Sequence, residues 1–147
     1  MLKKIVTSLA LSGLMGCSVV LAGDFGTPQE AKAMLERVVV EVNKNKAAAL
    51  EMFTAGSGGF KDRDLYPYCG GPDGNFTAHP KLVGKSLKEL KDKTGAAFGE
   101  QIYATAQEGK ISEVPYMWPR PGETEPVQKV AYVTKIGDQV CAVGYYK

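Results

Sequence analysis

Hydrophobic residues along this chain change period from one region to the next, and each period predicts an element. Between Met34 and Phe53 they recur at Met34/Leu35, Val38, Val42, Ala49 and Phe53, the spacing of one helix face. Thr27-Pro28-Gln29-Glu30 precedes the stripe as a capping box: Thr27 caps, Pro28 suits the first helical position, and Glu30 reaches back to the cap. The helix is expected to reach Thr54, about 28 residues and roughly 42 Å, and to end at Gly56-Ser57-Gly58-Gly59. Lys46 interrupts the stripe and is expected to snorkel.

Beyond the glycines the pattern becomes strand-like. Asp64–Cys69 is an aromatic-rich strand whose Pro67 points to an edge or a bulge. Gly70-Gly71-Pro72-Asp73-Gly74 turns the chain, and Asn75–His79 returns as the second strand of a hairpin. Ser86 is expected to cap a short helix through Leu90. A second helix is expected over Ala96–Glu108, with Phe98, Ile102 and Ala106 on one face and Gly109 as C-terminal cap. Three strands follow: Ile111–Trp118, Val127–Lys135 and Gln139–Tyr146. Five antiparallel strands with helices segregated to one face make an α+β domain, and the long N-terminal helix is its natural cover.

The first 22 residues read as a signal peptide rather than as part of the fold. Lys3 and Lys4 begin it, Ile5–Leu21 is an apolar run, and Val20-Leu21-Ala22 places permitted residues before a cut ahead of Gly23. Two other readings fit less well. Leu14-Met15-Gly16-Cys17 resembles a bacterial lipobox, with Met poorly suited to its position, and the apolar run is long enough for an uncleaved anchor. Residues 23–147 then form one domain with one core, expected in the periplasm or secreted.

Charge and cysteines narrow the function. The formal net charge of +2 belongs to the two leader lysines, so the domain itself is neutral, which argues against nucleic acid as a partner. Cys69 and Cys141 remain after Cys17 leaves with the leader. In an exported chain they form either a disulfide or two buried free thiols. CxxC and CxxCH are absent. One His, no Ser–His or Cys–His constellation and no zinc-like ligand set leave no basis for an enzyme, a metal site or a cofactor.

The stretch Val114–Val133, VPYMWPRPGETEPVQKVAYV, holds the strongest candidate chemistry. Tyr116 and Trp118 alternate and so share a strand face, and Lys129 lies on the strand that would pair with theirs. Aromatic rings beside a cation suit a small pocket for an anionic ligand. Each ring equally fits simple core packing, and Lys129 equally fits a solvent face. Lys129 and Tyr132 are three apart, so on a regular strand they face opposite ways. Tyr66 and Tyr68 share a face on the earlier strand. His79 is open to three roles: structural hydrogen bonding, ligand contact or metal binding. Arg120, in a Pro-rich loop, is expected on the surface.

Four fragments resemble a known family. Asp73-Gly74-Asn75 with Ala78-His79-Pro80 is similar to its "DGN…AHP". Leu82–Leu87 with Leu90-Lys91-Asp92 is similar to "LVGKNL…LKD". Tyr116–Pro121 is similar to "YxWPxP", and Pro126–Val133 with Gly144-Tyr145-Tyr146 resembles the closing strands. In this order they resemble the single Cache domain of bacteria, a PAS-like extracytoplasmic sensor module, over nearly all of Thr27–Lys147. The resemblance implies a long N-terminal helix, a five-stranded antiparallel sheet with a pocket on one face, and a small carboxylate ligand. On it, Lys129, Tyr116, Trp118, His79, Tyr132 and Tyr68 are the expected ligand-binding residues. A membrane receptor or kinase would read the bound state. A protein-interaction module that dimerises through the long helix, with no small-molecule ligand, is the alternative.

Overall fold

The computed structural model describes residues 23–147; the leader, Cys17 and the cut after Ala22 lie outside the described residues. Thr27 opens α1 (Pro28–Lys44) as its sequence predicts. The Thr27 hydroxyl accepts from Glu30 N–H at 3.2 Å, and the Glu30 carboxylate accepts from Thr27 N–H at 2.8 Å. The expected single helix is in fact two. Asn45 leaves the helical conformation (φ −160°, ψ 98°) and its side chain accepts from Ala48 N–H at 3.1 Å, capping α2 (Lys46–Ala55). Asn offers the backbone this local alternative to helix, and a break keeps both segments against a small domain. Lys46 does not snorkel; it pairs with Asp138 at 2.9 Å.

The remaining elements are β1 (Pro67–Gly70), β2 (Phe76–Ala78), α3 (Phe98–Thr105), β3 (Ser112–Pro119), β4 (Pro126–Ile136) and β5 (Gln139–Tyr146). They form a five-stranded antiparallel sheet in the order β2-β1-β5-β4-β3. β1 pairs with both β2 and β5, but Pro67 pairs only with Val143 of β5, beyond the reach of β2; it is tolerated as the first residue of its strand. The bulge lies between Cys69 and Gly70. α3 is shorter than expected and ends at Ala106, while Gly109 (φ 69°) serves a separate turn. Ser86 accepts from Glu89 N–H at 3.1 Å in a turn that does not continue as a helix.

The helices are not confined to one face. α1 and α2 bury Ala31, Leu35, Val38 and Phe53 against Cys69, Val130, Cys141 and Val143. The opposite face carries Tyr68, Ala131, Val133 and Ala142 under Leu87, Phe98 and Ile102 from α3 and the segment before it. Strand alternation therefore sorts residues into two cores. Among the described residues no helix is long and apolar enough to cross a membrane.

Cys69 and Cys141 lie directly opposite each other on β1 and β5 and are disulfide-bonded. The bond closes a loop across 72 residues, which in the chain-entropy picture stabilises by about 4 kcal/mol. Replacing both cysteines by Ala is expected to lower unfolding stability by about 2–5 kcal/mol in urea. A double variant as stable as the parent would show that the sheet does not depend on this link.

Candidate functional site

Three strands set Lys129 in place. Its cross-strand neighbours are Tyr116 on β3 and Tyr146 on β5. Gly144, two residues before Tyr146, clears a path: a Cβ there would collide with Lys129 Cε. The Lys129 stem crosses this gap, and its Nζ donates to the Tyr66 hydroxyl at 3.1 Å. The ammonium lies 4.5 Å from the ring centre of Tyr66, 4.8 Å from Tyr146, 5.8 Å from Tyr68 and 5.9 Å from Tyr116.

This cage leaves Lys129 0% exposed, and no carboxylate pairs with it among the described residues. Cation–π contacts return part of the lost hydration. A buried charge without a counter-charge is nonetheless costly.

Three of the four cage tyrosines also line a compartment. Tyr66, Tyr68, Tyr116 and His79 bound it on one side, and Phe76, Leu82, Leu87, Leu90, Phe98 and Trp118 complete it. Its cavity volume is only about 10 Å³, room for about one water molecule. Lys129 sits behind these tyrosines rather than on the compartment surface. Phe98 stacks on Tyr116 at 4.1 Å and lies 5.4 Å from Trp118, which fixes the apolar end. An outer vestibule of about 610 Å³ shares Tyr66, His79, Leu82 and Trp118 with the compartment, and Lys61, Arg63, Lys81 and Arg120 line it.

The polar groups facing this space present protons. The Tyr68 and Tyr116 hydroxyls are 3.0 Å apart, so one donates and the other keeps its proton to give. Burial pushes both phenols well above their ordinary value, so neither ionises near neutral pH. His79 Nδ1 accepts from Lys81 N–H at 2.9 Å. Burial, then the charges of Lys129 and Lys81, lower His79 from 6.5 to about 4. The imidazole is therefore neutral with its proton on Nε2, a third donor. Trp118 can only donate. An array of donors beside a buried cation suits an anion.

Not every expected residue joins the site. The structure brings Lys129, Tyr116, Trp118, His79 and Tyr68 together. Tyr132 lies on the other face of β4, 5.6 Å from Tyr145 in the helix-side core, because strand parity holds without a bulge. Arg120 is only partly exposed: its side chain is 17% exposed, and its guanidinium lies over Phe25 at 4.4 Å and Tyr146 at 5.2 Å. Tyr146 and Gly144 were missed, while Tyr66, noted beside Tyr68 on the earlier strand, was left out of the expected ligand-binding set. A usable signal was the β5 alternation Val140, Ala142, Gly144, Tyr146, where small residues leave room opposite a buried Lys. Asp92 was missed as well. It accepts from Met117 N–H at 2.9 Å on the edge strand β3 and from Thr94 and Ala96, with the Thr94 hydroxyl bond the largest cause of its lowered pKa. It fixes the compartment wall and covers an open strand edge. Among the described residues no group of three or more His, Cys, Asp or Glu could hold a metal ion.

A family model for the Cache domain matches residues 39–146. This chain belongs to the Cache domain family. A methyl-accepting chemotaxis protein, McpP of Pseudomonas putida, is 38% identical over 56 residues, which are 38% of this chain and 10% of that protein. The chain thus spans about a tenth of the length of that curated relative. A methyl-accepting chemotaxis protein from Vibrio parahaemolyticus has the same fold at TM-score 0.66 and 26% identity, covering 80% of this chain and 86% of that chain. The periplasmic sensor domain of a chemotaxis protein matches at 0.61 and 24%, covering 80% and 88%. A Cache chemosensory domain described for carboxylic acid recognition matches at 0.57 and 24%, covering 80% and 86%. At these identities the last two speak to the fold.

The Cache domain should respond to acid through His79. Its folded value lies below its ordinary one, so the unfolded chain takes up the proton first. Stability attached to neutral His79 is complete above about pH 6.5 and is lost as pH falls through about 4. Between pH 7 and 4.5 the parent should lose about 2–3 kcal/mol more than His79→Gln in urea melts. Equal losses in the two proteins would show that His79 is not held neutral.

Proposed function

We propose that this Cache domain binds a small organic anion, a short-chain carboxylate, as an extracytoplasmic sensor module. One observation carries the reading: the Lys129 ammonium is fully buried with no counter-charge, behind a compartment whose polar groups donate. A bound carboxylate would supply the missing charge and accept from Tyr66, from the free proton of the Tyr68–Tyr116 pair and from His79 Nε2. Tyr66 transmits part of the positive charge, because its oxygen accepts from Lys129 while its own proton remains to be given. The apolar end would take the alkyl part. The neighbour described for carboxylic acid recognition supports the ligand class.

The reading extends to context. Residues 1–22 would export the domain, and a membrane receptor or kinase would read the bound state. Pairing of two domains through the N-terminal helix has no observation in its favour. The apolar stripe of α1 faces the sheet and leaves Val40 as its exposed large hydrophobic residue.

A thermal-shift screen of acetate, propionate, pyruvate and butyrate tests this, with Lys129→Met as control. At a hundred times its dissociation constant, an acid that binds should stabilise the parent by about 2.7 kcal/mol. Lys129→Met should lose that response while gaining up to about 1–4 kcal/mol of intrinsic stability, because an uncompensated buried charge is removed. No shift with any acid would sink the proposal, and a full shift in Lys129→Met would remove Lys129 from it.

A further inference from the structure

Among the described residues two buried side-chain polar atoms have no hydrogen-bond partner: Asp64 Oδ2 and Arg120 Nε. They face each other across 3.6 Å, beyond hydrogen-bond reach yet close enough to attract strongly. Both residues touch the chain just before α1. Asp64 Oδ1 accepts from Gly26 N–H at 2.7 Å, and the Arg120 guanidinium covers the Phe25 ring. Arg63 fastens the same stretch, donating to the Gly23 carbonyl at 3.1 Å and the Phe25 carbonyl at 2.9 Å, and pairing with Glu30 in the first turn of α1 at 2.8 Å. Among the described residues Arg63 is the only non-Gly residue with positive φ, 55°, an uncommon conformation that these contacts hold in place.

The other ends of these contacts reach the binding compartment. Tyr66 follows Asp64 by two residues and takes the Lys129 hydrogen bond. Trp118 precedes Arg120 by two residues and lines both compartment and vestibule. The Tyr146 hydroxyl donates to the Pro119 carbonyl at 2.8 Å, and its ring meets both Lys129 and Arg120. Two cations therefore share one ring while one of them lacks a counter-charge.

We propose that Arg120 and Asp64 form a ligand-linked latch. An anion bound against the tyrosine hydroxyls in front of Lys129 offsets its charge and eases its repulsion of Arg120. The Arg120–Glu123 segment, which lines the vestibule, then closes over it, and Arg120 Nε reaches Asp64 Oδ2. The tightened pair holds Gly26 and the start of α1. Arg120 acts as a positioning residue, and the bound anion favours the closed form because it lowers the energy of that form more than of the open one. The latch rests on the anion-binding reading given above.

Amide hydrogen exchange at Gly26, measured by NMR with and without sodium propionate, tests the latch, and calorimetric titration of propionate runs in parallel. Asp64→Asn keeps an acceptor for Gly26 but removes the charge, and Arg120→Lys keeps a charge but removes Nε. Propionate should slow Gly26 exchange in the parent by about fivefold to tenfold, the worth of one net hydrogen bond. Both variants should still bind propionate yet lose that slowing. Propionate that binds the parent without changing Gly26 exchange overturns the latch and leaves anion binding intact, as does slowing that survives in both variants. Absence of propionate binding to the parent removes the anion-binding reading and the latch with it.

Discussion

The structure turns on one buried ammonium that has no carboxylate beside it. Lys129 occupies a core position on β4, where an aliphatic side chain would cost nothing. Burying a charge there is tolerable because four tyrosine rings surround it and one phenol accepts from it. That arrangement compensates the cation only in part. The rest of the pocket follows the same logic, with protonated phenols, a neutral His79 and Trp118 around a space of small volume. Half of an ion pair is built into the protein.

Holding half an ion pair in place requires a stiff sheet. On the helix side, α1, α2 and the Cys69–Cys141 link fix β1 against β5. Those two strands and the residue before β1 bring Tyr66, Tyr68 and Tyr146 around Lys129. On the compartment side, Ala131, Ala142 and Gly144 keep the sheet surface low, so that Lys129 can lie across it. Asp92 anchors the edge strand that carries Tyr116 and Trp118. The connection from these walls to the start of α1 runs through Arg63, Asp64 and Arg120, which lie on chain segments flanking the vestibule.

Much of this was legible in the sequence where the signal is local. Thr27–Glu30 cap α1 as their order dictates, β5 spans Gln139–Tyr146 as its alternation implies, and Tyr116 and Trp118 share a face. Parity alone separates Lys129 from Tyr132, and the sheet obeys it. The family resemblance carried by Asp73–Pro80, Leu82–Asp92 and Tyr116–Pro121 agrees with the family match. What escaped depends on tertiary contact. Asn45 carries a helical neighbourhood on both sides, and its break shows only once α2 must pack. Pro67 in a central strand contradicts local preference because β5 comes from far along the chain. Tyr146, Gly144 and the partial burial of Arg120 are set by strands and loops that no short window contains.

Titration of the purified domain with propionate and with propionamide is the most direct test of the central claim. The two share size and shape and differ in charge. A buried, unpaired ammonium predicts saturable binding of propionate and none of propionamide at matched concentrations. Equal binding of the two, or binding of the neutral amide alone, would contradict it.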